Sequence, residues 1–373
     1  MLKKFFPGTD IIASHLGLGA MRLPRKADNS LDENEAITLI RDAIDNGISY
    51  VDTAYPYHDG LSETVVGKAL KDGYRERVTL VTKLPVWKVE SRKDMDEVLD
   101  EQLQKLQTDH VDFYLLHAMG KERLEKMRKL DYQRFFEDKI KEGKIRYPGF
   151  SFHDKEHVFL EILNDYDWKL AQVQMNLLDG ENQATVRGIE AAGKKGVGVV
   201  VMEPLRGGAL VKATGEVREL YDNYQVKRTP VEWALRYLMD MPYVTNILSG
   251  MSSRQQVAEN IATFNNVGET PLTAEDRTLL EKVKKAYLDR IKTGCTGCAY
   301  CQPCPQGVAI PKIFQAYDEA RMLDNGKFPK FYQTTIEKEK DASRCVACRQ
   351  CEDACPQHLP IVDFLNEIHQ ENA

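Results

Sequence analysis

The chain has 373 residues, 42% of them hydrophobic, and a formal net charge of −6 with both signs interspersed. This composition supports a large core, offers no basic stripe for nucleic acid, and contains no apolar run approaching a membrane helix. Met1–Asp10 lacks the long apolar core of a signal peptide, and no cysteine precedes Cys295, so a reducing, cytoplasmic setting is expected.

Lys3–Phe6 and Ile11–Ser14, joined by Pro7-Gly8-Thr9-Asp10, read as a hairpin closing a barrel floor. Strand candidates follow at Leu16–Ala20, Tyr50–Thr53, Val78–Lys83, Val111–His117, Ile145–Phe150, Leu170–Met175, Val197–Met202 and Val244–Leu248. Several are near-continuous apolar runs, as parallel strands buried on both faces require. Helical stretches separate them. Ser30-Leu-Asp-Glu33 has the spacing of a capping box ahead of Ala36, Leu39, Ile40, Ala43 and Ile44. Lys121–Glu142 is long and strongly charged, and reads as an extended surface loop and helix. Thr229-Pro230-Val231-Glu232 is a second helix start, with proline at the first helical position. Eight strand–helix units over about 250 residues predict an α/β fold, a TIM (β/α)8 barrel. A doubly wound sheet would want a G-x-G-x-x-G turn after a strand, and none is present. Thr273 then caps a helix running to about Lys292.

All eight cysteines follow in two runs. Cys345, Cys348, Cys351 and Cys355, followed by Pro356, have the C-x2-C-x2-C-x3-C-P spacing of a bacterial-type ferredoxin. Cys295, Cys298, Cys301 and Cys304, followed by Pro305, are one residue tighter. Three thiolates two residues apart let one loop wrap three corners of a [4Fe–4S] cube, a fourth cysteine from elsewhere takes the last iron, and in two-cluster ferredoxins that fourth ligand comes from the other run. Cys355 is therefore paired with the first cluster and Cys304 with the second. Structural zinc is the competing reading, but four-cysteine zinc sites usually draw CxxC pairs from separated knuckles. The expected organisation is a barrel at 1–270, a linker helix at 271–292, and a small helical and loop-rich two-cluster ferredoxin-like domain at 293–373. Within that domain Pro311–Leu323 is helical by pattern and Asn325–Tyr332 is turn-rich.

In TIM barrels chemistry sits at the C-terminal ends of the strands. Those ends carry Asp52 and Tyr57, then Lys83, then His117. A lysine beside a tyrosine stabilises phenolate and lowers the phenol pKa, an aspartate keeps the lysine charged, and a histidine can polarise a carbonyl. Together they suit hydride addition to a carbonyl. His58 is read as a rim residue.

The segment Tyr50-Val-Asp52-Thr-Ala-Tyr-Pro-Tyr57-His-Asp-Gly60-Leu-Ser62-Glu63 resembles the signature of the aldo-keto reductase family. Val81-Thr-Lys83-Leu, Tyr114-Leu-Leu-His117, Gly149-Phe-Ser151, Ala171-Gln172-Val173, Pro204-Leu-Arg-Gly-Gly208 and Val257-Ala-Glu259-Asn260 match its later blocks. The likeness covers about residues 10–263, and the whole resembles the subgroup with a C-terminal ferredoxin-like extension. It implies Tyr57 as general acid, Lys83 and Asp52 as its tuning pair, and His117 as the substrate-orienting group. It implies that Ser151 and Gln172 hold a nicotinamide carboxamide, that Gly207 and Gly208 approach the pyrophosphate, and that Glu259 and Asn260 approach the adenine. Met202 stands where a ring usually stacks on the nicotinamide. Gly250 and Gln256 stand where basic residues often bind the 2′-phosphate, leaving Ser252, Ser253 and Arg254 to replace them. The cofactor is thus NADP(H) or NAD(H), with two [4Fe–4S] clusters as further cofactors.

The function expected is NAD(P)-dependent reduction of a small-molecule carbonyl, or oxidation of an alcohol, with clusters that relay electrons. A redox partner protein is a further candidate partner. The alternative is an iron–sulfur electron-transfer or docking protein built on a degenerate barrel. Hydride transfer moves two electrons whereas each cubane carries one, and no flavin motif is evident to convert between them.

Overall fold

The computed structural model describes residues 1–267, 271–295, 297, 299, 301–324, 326–355 and 357–372. By internal contacts the chain forms two units. One comprises Met1–Gly208 and Thr229–Arg277, the other Ala209–Arg228 and Thr278–Ala373. The second unit thus takes in residues 209–228, a segment that lies within the span expected for the barrel.

The first unit opens with an antiparallel hairpin, β1 (Lys3–Phe5) and β2 (Ile12–Ser14). Eight parallel strands then alternate with helices: β3 (Leu16–Gly19), α1 (Glu33–Asp45), β4 (Tyr50–Asp52), α2 (Ser62–Ala69), β5 (Thr79–Leu84), α3 (Arg92–Leu106), β6 (Val111–Met119), α4 (Lys121–Lys129), α5 (Tyr132–Lys141), β7 (Ile145–Phe152), α6 (Glu156–Asp165), β8 (Leu170–Gln174), α7 (Thr185–Lys194) and β9 (Gly198–Met202). After α8 (Gly215–Asn223), which belongs to the second unit, come α9 (Pro230–Asp240), β10 (Val244–Ser249) and α10 (Arg254–Asn265). Among the described residues the strands close in the order β10-β3-β4-β5-β6-β7-β8-β9, which is the expected TIM barrel. Phe6, Tyr50, Val81, Phe113, Leu115, Leu170 and Val200 belong to one buried cluster, and a larger apolar cluster joins strands to the helical shell.

Helix starts follow local chemistry. Thr229 accepts a hydrogen bond from Glu232 N, and Pro230 is the first residue of α9, as expected. At α1 the cap is Asp32, which accepts from Glu35 N, and not Ser30. Ser30 instead donates to Asp28 in the preceding turn, because an Asx turn there competes for its hydroxyl. Lys121–Glu142 is two helices, α4 and α5, separated at Asp131 with φ 52°.

In the second unit, α11 (Ala274–Leu288) begins in the barrel unit at a Thr273–Asp276 reciprocal cap. Then come α12 (Ile310–Leu323), α13 (Phe328–Thr335), α14 (Gln350–Asp353) and α15 (Ile361–Asn372). The stretch expected to be turn-rich is therefore largely helical from Phe328. Phe328 and Tyr332, one helical turn apart, are buried with Tyr317 and Ile313, so packing overrides the local turn signals. Asn325 lies outside the described residues. No described helix is long and apolar enough to cross a membrane.

Candidate active site and cysteine cavities

The ends of β4, β5 and β6 converge. Lys83 Nζ lies 2.7 Å from Asp52 Oδ1 and 2.8 Å from the Thr53 carbonyl, and this ion pair is almost wholly buried. Nζ also sits 5.0 Å from the centroid of the Tyr57 ring. The Tyr57 and His117 rings meet edge-on at 6.0 Å. All four expected catalytic residues are thus brought together.

Irregular backbone aims them. Tyr57 precedes two successive left-handed residues, His58 (φ 51°) and Asp59 (φ 56°). His58 is buried, and its Nε2 accepts from Leu23 N at 3.2 Å. It is an anchor for the turn carrying Tyr57, not a rim residue, because its ring turns inward and meets an otherwise orphaned amide. Beyond His117, the β6–β7 register shifts between Leu116 and Met119, and Ala118 has φ 54°. Such bulges re-aim side chains beside functional sites.

The electrostatics refine the expected roles. Burial lifts the Tyr57 phenol above its ordinary value; Lys83 pulls it down, while Asp52 adds to the rise. The net direction is upward, so the expected lowering is corrected: the lysine offsets desolvation without reversing it. Burial alone would discharge Lys83, but Asp52 and Tyr57 outweigh it and hold the ammonium charged. Burial pushes the Asp52 carboxyl up against the opposing pull of Lys83. His117 is lowered to about 2, first by burial and then by the nearby charges of Lys83, His153 and Arg123. Its imidazole is neutral, suited to orienting a carbonyl and not to delivering a proton.

This has a consequence for stability. Burial also lowers His15 to about 4. Unfolded imidazoles take up a proton near pH ~6.5, so the stability these groups contribute is complete above that pH. It falls as pH drops towards the folded values, by up to roughly 1.36 kcal/mol per pH unit for each. The urea midpoint should therefore fall on acidification from neutral pH, and fall less in His15→Gln. An equal loss in that variant would show that His15 does not carry its share.

Ser151 and Gln172 are register partners on β7 and β8, and both are buried. Ser151 Oγ accepts from Ala118 N at 2.7 Å, leaving its own O–H to donate. Gln172 Oε1 is buried without a partner, and Nε2 faces Met202 Sδ at 3.9 Å. A free donor beside an orphaned acceptor fits a carboxamide. Gly207 (φ 64°) and Gly208 (φ 93°) need glycine for their backbone. A side chain at Gly208 would meet nothing within 4 Å, so this loop leaves open room for a close ligand. Asn260 is buried and donates to Ser249 Oγ. Glu259 is exposed and accepts from Gln255. Arg254 makes two 3.0 Å bonds to Glu35 and lies 3.5 Å from Asp42, so it is already neutralised. Two residues at the mouth were not singled out from sequence, Trp87 and Arg123. Only a basic residue in the first turn of a helix hinted at the second.

The cysteines line two cavities. One is bordered by Cys345, Cys348, Cys351 and Cys304, the other by Cys295, Cys301 and Cys355. Each run therefore sends its last cysteine to the other cavity. Cys298 lies outside the described residues, as does Pro356. Among the described residues no three His, Cys, Asp or Glu converge closely enough for a single metal ion. Thiols lining a cavity supply the donor set that a cluster requires. Asp318 on α12 clamps the loop before Cys295, accepting from Lys292 N, Thr293 N, Gly294 N and the Thr293 hydroxyl at 2.6–3.0 Å. Thr293 in turn accepts from Cys295 N at 3.2 Å. Asp318→Ala would orphan three successive amides, each costing roughly 1–3 kcal/mol if buried. Anaerobic iron analysis should then show loss from the first site, and full iron content would refute the clamp.

Residues 15–285 match the model of the aldo/keto reductase family, and residues 294–359 that of a 4Fe-4S dicluster domain. An NADH-specific methylglyoxal reductase of Escherichia coli is 25% identical over 334 residues, covering 74% of this chain and 97% of its own. The holo form of aldo-keto reductase AKR11C1 from Bacillus halodurans is 30% identical, with a TM-score of 0.63, over 76% of this chain and 96% of that one. An aldo-keto reductase of Klebsiella pneumoniae, solved with NADPH, shares the fold at 24% identity and a TM-score of 0.62, over 76% and 96%. With eight strands closed around one reductase-like constellation and most of the barrel inside the matched span, the chain belongs to the aldo/keto reductase family and carries a C-terminal 4Fe-4S dicluster domain.

Proposed function

We propose that the protein reduces a carbonyl, or oxidises the corresponding alcohol, with Tyr57 as the general acid. The observation that carries this is a buried Lys83–Asp52 pair and a neutral His117 meeting one half-buried phenol. Bound NADPH or NADH supplies a hydride. Ser151 and Gln172 would hold its carboxamide, and Gly207 and Gly208 would allow close approach of its pyrophosphate. Glu259 and Asn260 would approach the adenine, and Arg254 would have to leave Glu35 to reach a 2′-phosphate. His117 donates to the carbonyl oxygen and orients it. Tyr57 gives its proton to that oxygen as negative charge develops, and Lys83 stabilises the phenolate left behind. Asp52 keeps Lys83 charged throughout.

The cysteines hold two [4Fe–4S] clusters: Cys295, Cys298 and Cys301 with Cys355, and Cys345, Cys348 and Cys351 with Cys304. Each cubane, once bound, would exchange single electrons, and a separate redox partner protein is the candidate to receive or supply them. The anaerobic protein should be brown and hold about eight irons per chain. Cys355→Ser should deplete the first cluster and Cys304→Ser the second, each leaving the other spectroscopically intact. Stoichiometric zinc without iron, even after reconstitution, would overturn this.

Two observations favour the alternative of an electron-transfer protein on an inactive barrel: a thioether, Met202, faces Gln172, and Arg254 is neutralised. Parallel titration with NADPH, NADH and FMN decides. Tight nicotinamide binding with turnover of a carbonyl supports the reductase, and binding of none supports the alternative.

A further inference from the structure

Four side chains form a row across the barrel mouth. Tyr57 and His117 lie 6.0 Å apart, His117 and Trp87 5.1 Å, and the Arg123 guanidinium carbon sits 5.5 Å from the Trp87 ring. Trp87 is 44% exposed, a large apolar surface left open beside the catalytic rings.

Arg123 occupies the third position of α4, where the helix dipole disfavours a cation. Helix stability therefore does not explain it. Its head donates to the carbonyl of Ala118, the residue after His117, which turns it towards the mouth. Arg75, Arg128, Arg146, Arg187 and Arg254 each pair with a carboxylate, whereas Arg123 has none among the described residues. Asp154 accepts from Lys121 N at the start of α4, and Asp52, beside Tyr57, is taken by Lys83. His153 feels both Arg123 and the Glu203 carboxylate, and among the described residues no ion pair joins Glu203 to Arg123. A planar guanidinium that spends one N–H on a carbonyl keeps the others for a carboxylate.

We infer that the substrate is an anionic carbonyl compound, an oxo acid whose carboxylate binds Arg123. Its hydrocarbon segment lies on Trp87, and its carbonyl oxygen reaches Tyr57 and His117. The carboxylate is unchanged in the reaction, which adds only hydride to the carbonyl carbon and a proton to its oxygen. The inference rests on the reductase reading above and names the substrate class for that site.

The test compares ω-oxo carboxylates of increasing length with the matching unsubstituted aldehydes. The wild-type protein should favour at least one oxo acid by about tenfold or more in kcat/KM, the worth of one charge-assisted hydrogen bond. Arg123→Gln should erase that preference mainly through KM, with a smaller loss on the neutral aldehydes, and Arg123→Lys should recover part of it. A second measurement needs no turnover: dicarboxylates matching these acids are titrated against intrinsic tryptophan fluorescence. Arg123-dependent binding without turnover of any carbonyl would uphold the anion site and sink the reductase reading. Turnover with no preference for oxo acids, or preference and binding that survive Arg123→Gln, would overturn the inference. So would the absence of both turnover and Arg123-dependent binding.

Discussion

Tyr57→Phe is expected to lower carbonyl reduction by roughly 10²–10⁴ while leaving dinucleotide affinity nearly unchanged. The substitution removes only the phenolic oxygen and keeps the ring that packs edge-on against His117. Lys83 then faces an apolar edge, but it retains Asp52 and the Thr53 carbonyl. The buried ion pair therefore persists and the fold should hold. His117 does not rescue proton delivery, because an imidazole lowered to about 2 carries no second proton at neutral pH. The loss should fall on kcat and kcat/KM alike, the mark of an interaction made only in the transition state. Wild-type turnover in the variant, on a substrate the native protein reduces, would remove Tyr57 from the mechanism.

Lys83→Met is expected to damage both rate and stability. The rate falls because the charge that offsets phenol desolvation is gone, so Tyr57 rises further above its ordinary value. Stability falls by about 3–5 kcal/mol, because Asp52 is left buried without its partner. Burial already pushes this carboxyl up, and removing Lys83 leaves that push unopposed. A folded-state pKa raised above the unfolded ~3.9 means that the folded chain binds the extra proton. Its stability is thus greatest at acid pH and falls as pH rises through that window. The gap in urea midpoint between variant and wild type should narrow on acidification, and a constant gap would show that Asp52 is not the cause. Adding Asp52→Leu to Lys83→Met should recover much of the stability and none of the turnover. That outcome would separate the structural role of the pair from its electrostatic one.

Much of this was legible along the chain. Every barrel strand had a candidate in the sequence, and several were near-continuous apolar runs, because a strand buried on both faces has little room for polar side chains. Thr229-Pro230 marked the start of α9 because capping is settled within one helical turn. Cysteine spacing like that of two-cluster ferredoxins pointed to the exchange of Cys304 and Cys355, and each lines the cavity of the other run. The cap expected at Ser30 formed instead at Asp32, because Asp28 engages the Ser30 hydroxyl.

The sequence by itself determined the strand–helix alternation, the order of Asp52, Tyr57, Lys83 and His117 along it, and the two cysteine runs. All of these rest on residue type and short-range spacing. The direction of the Tyr57 shift, the neutrality of His117, the inward turn of His58, the helix at Phe328 and the meeting of Trp87 with Arg123 were decided by tertiary structure. Each depends on how much water is excluded and which charges lie nearby, and residues far apart in the chain supply both.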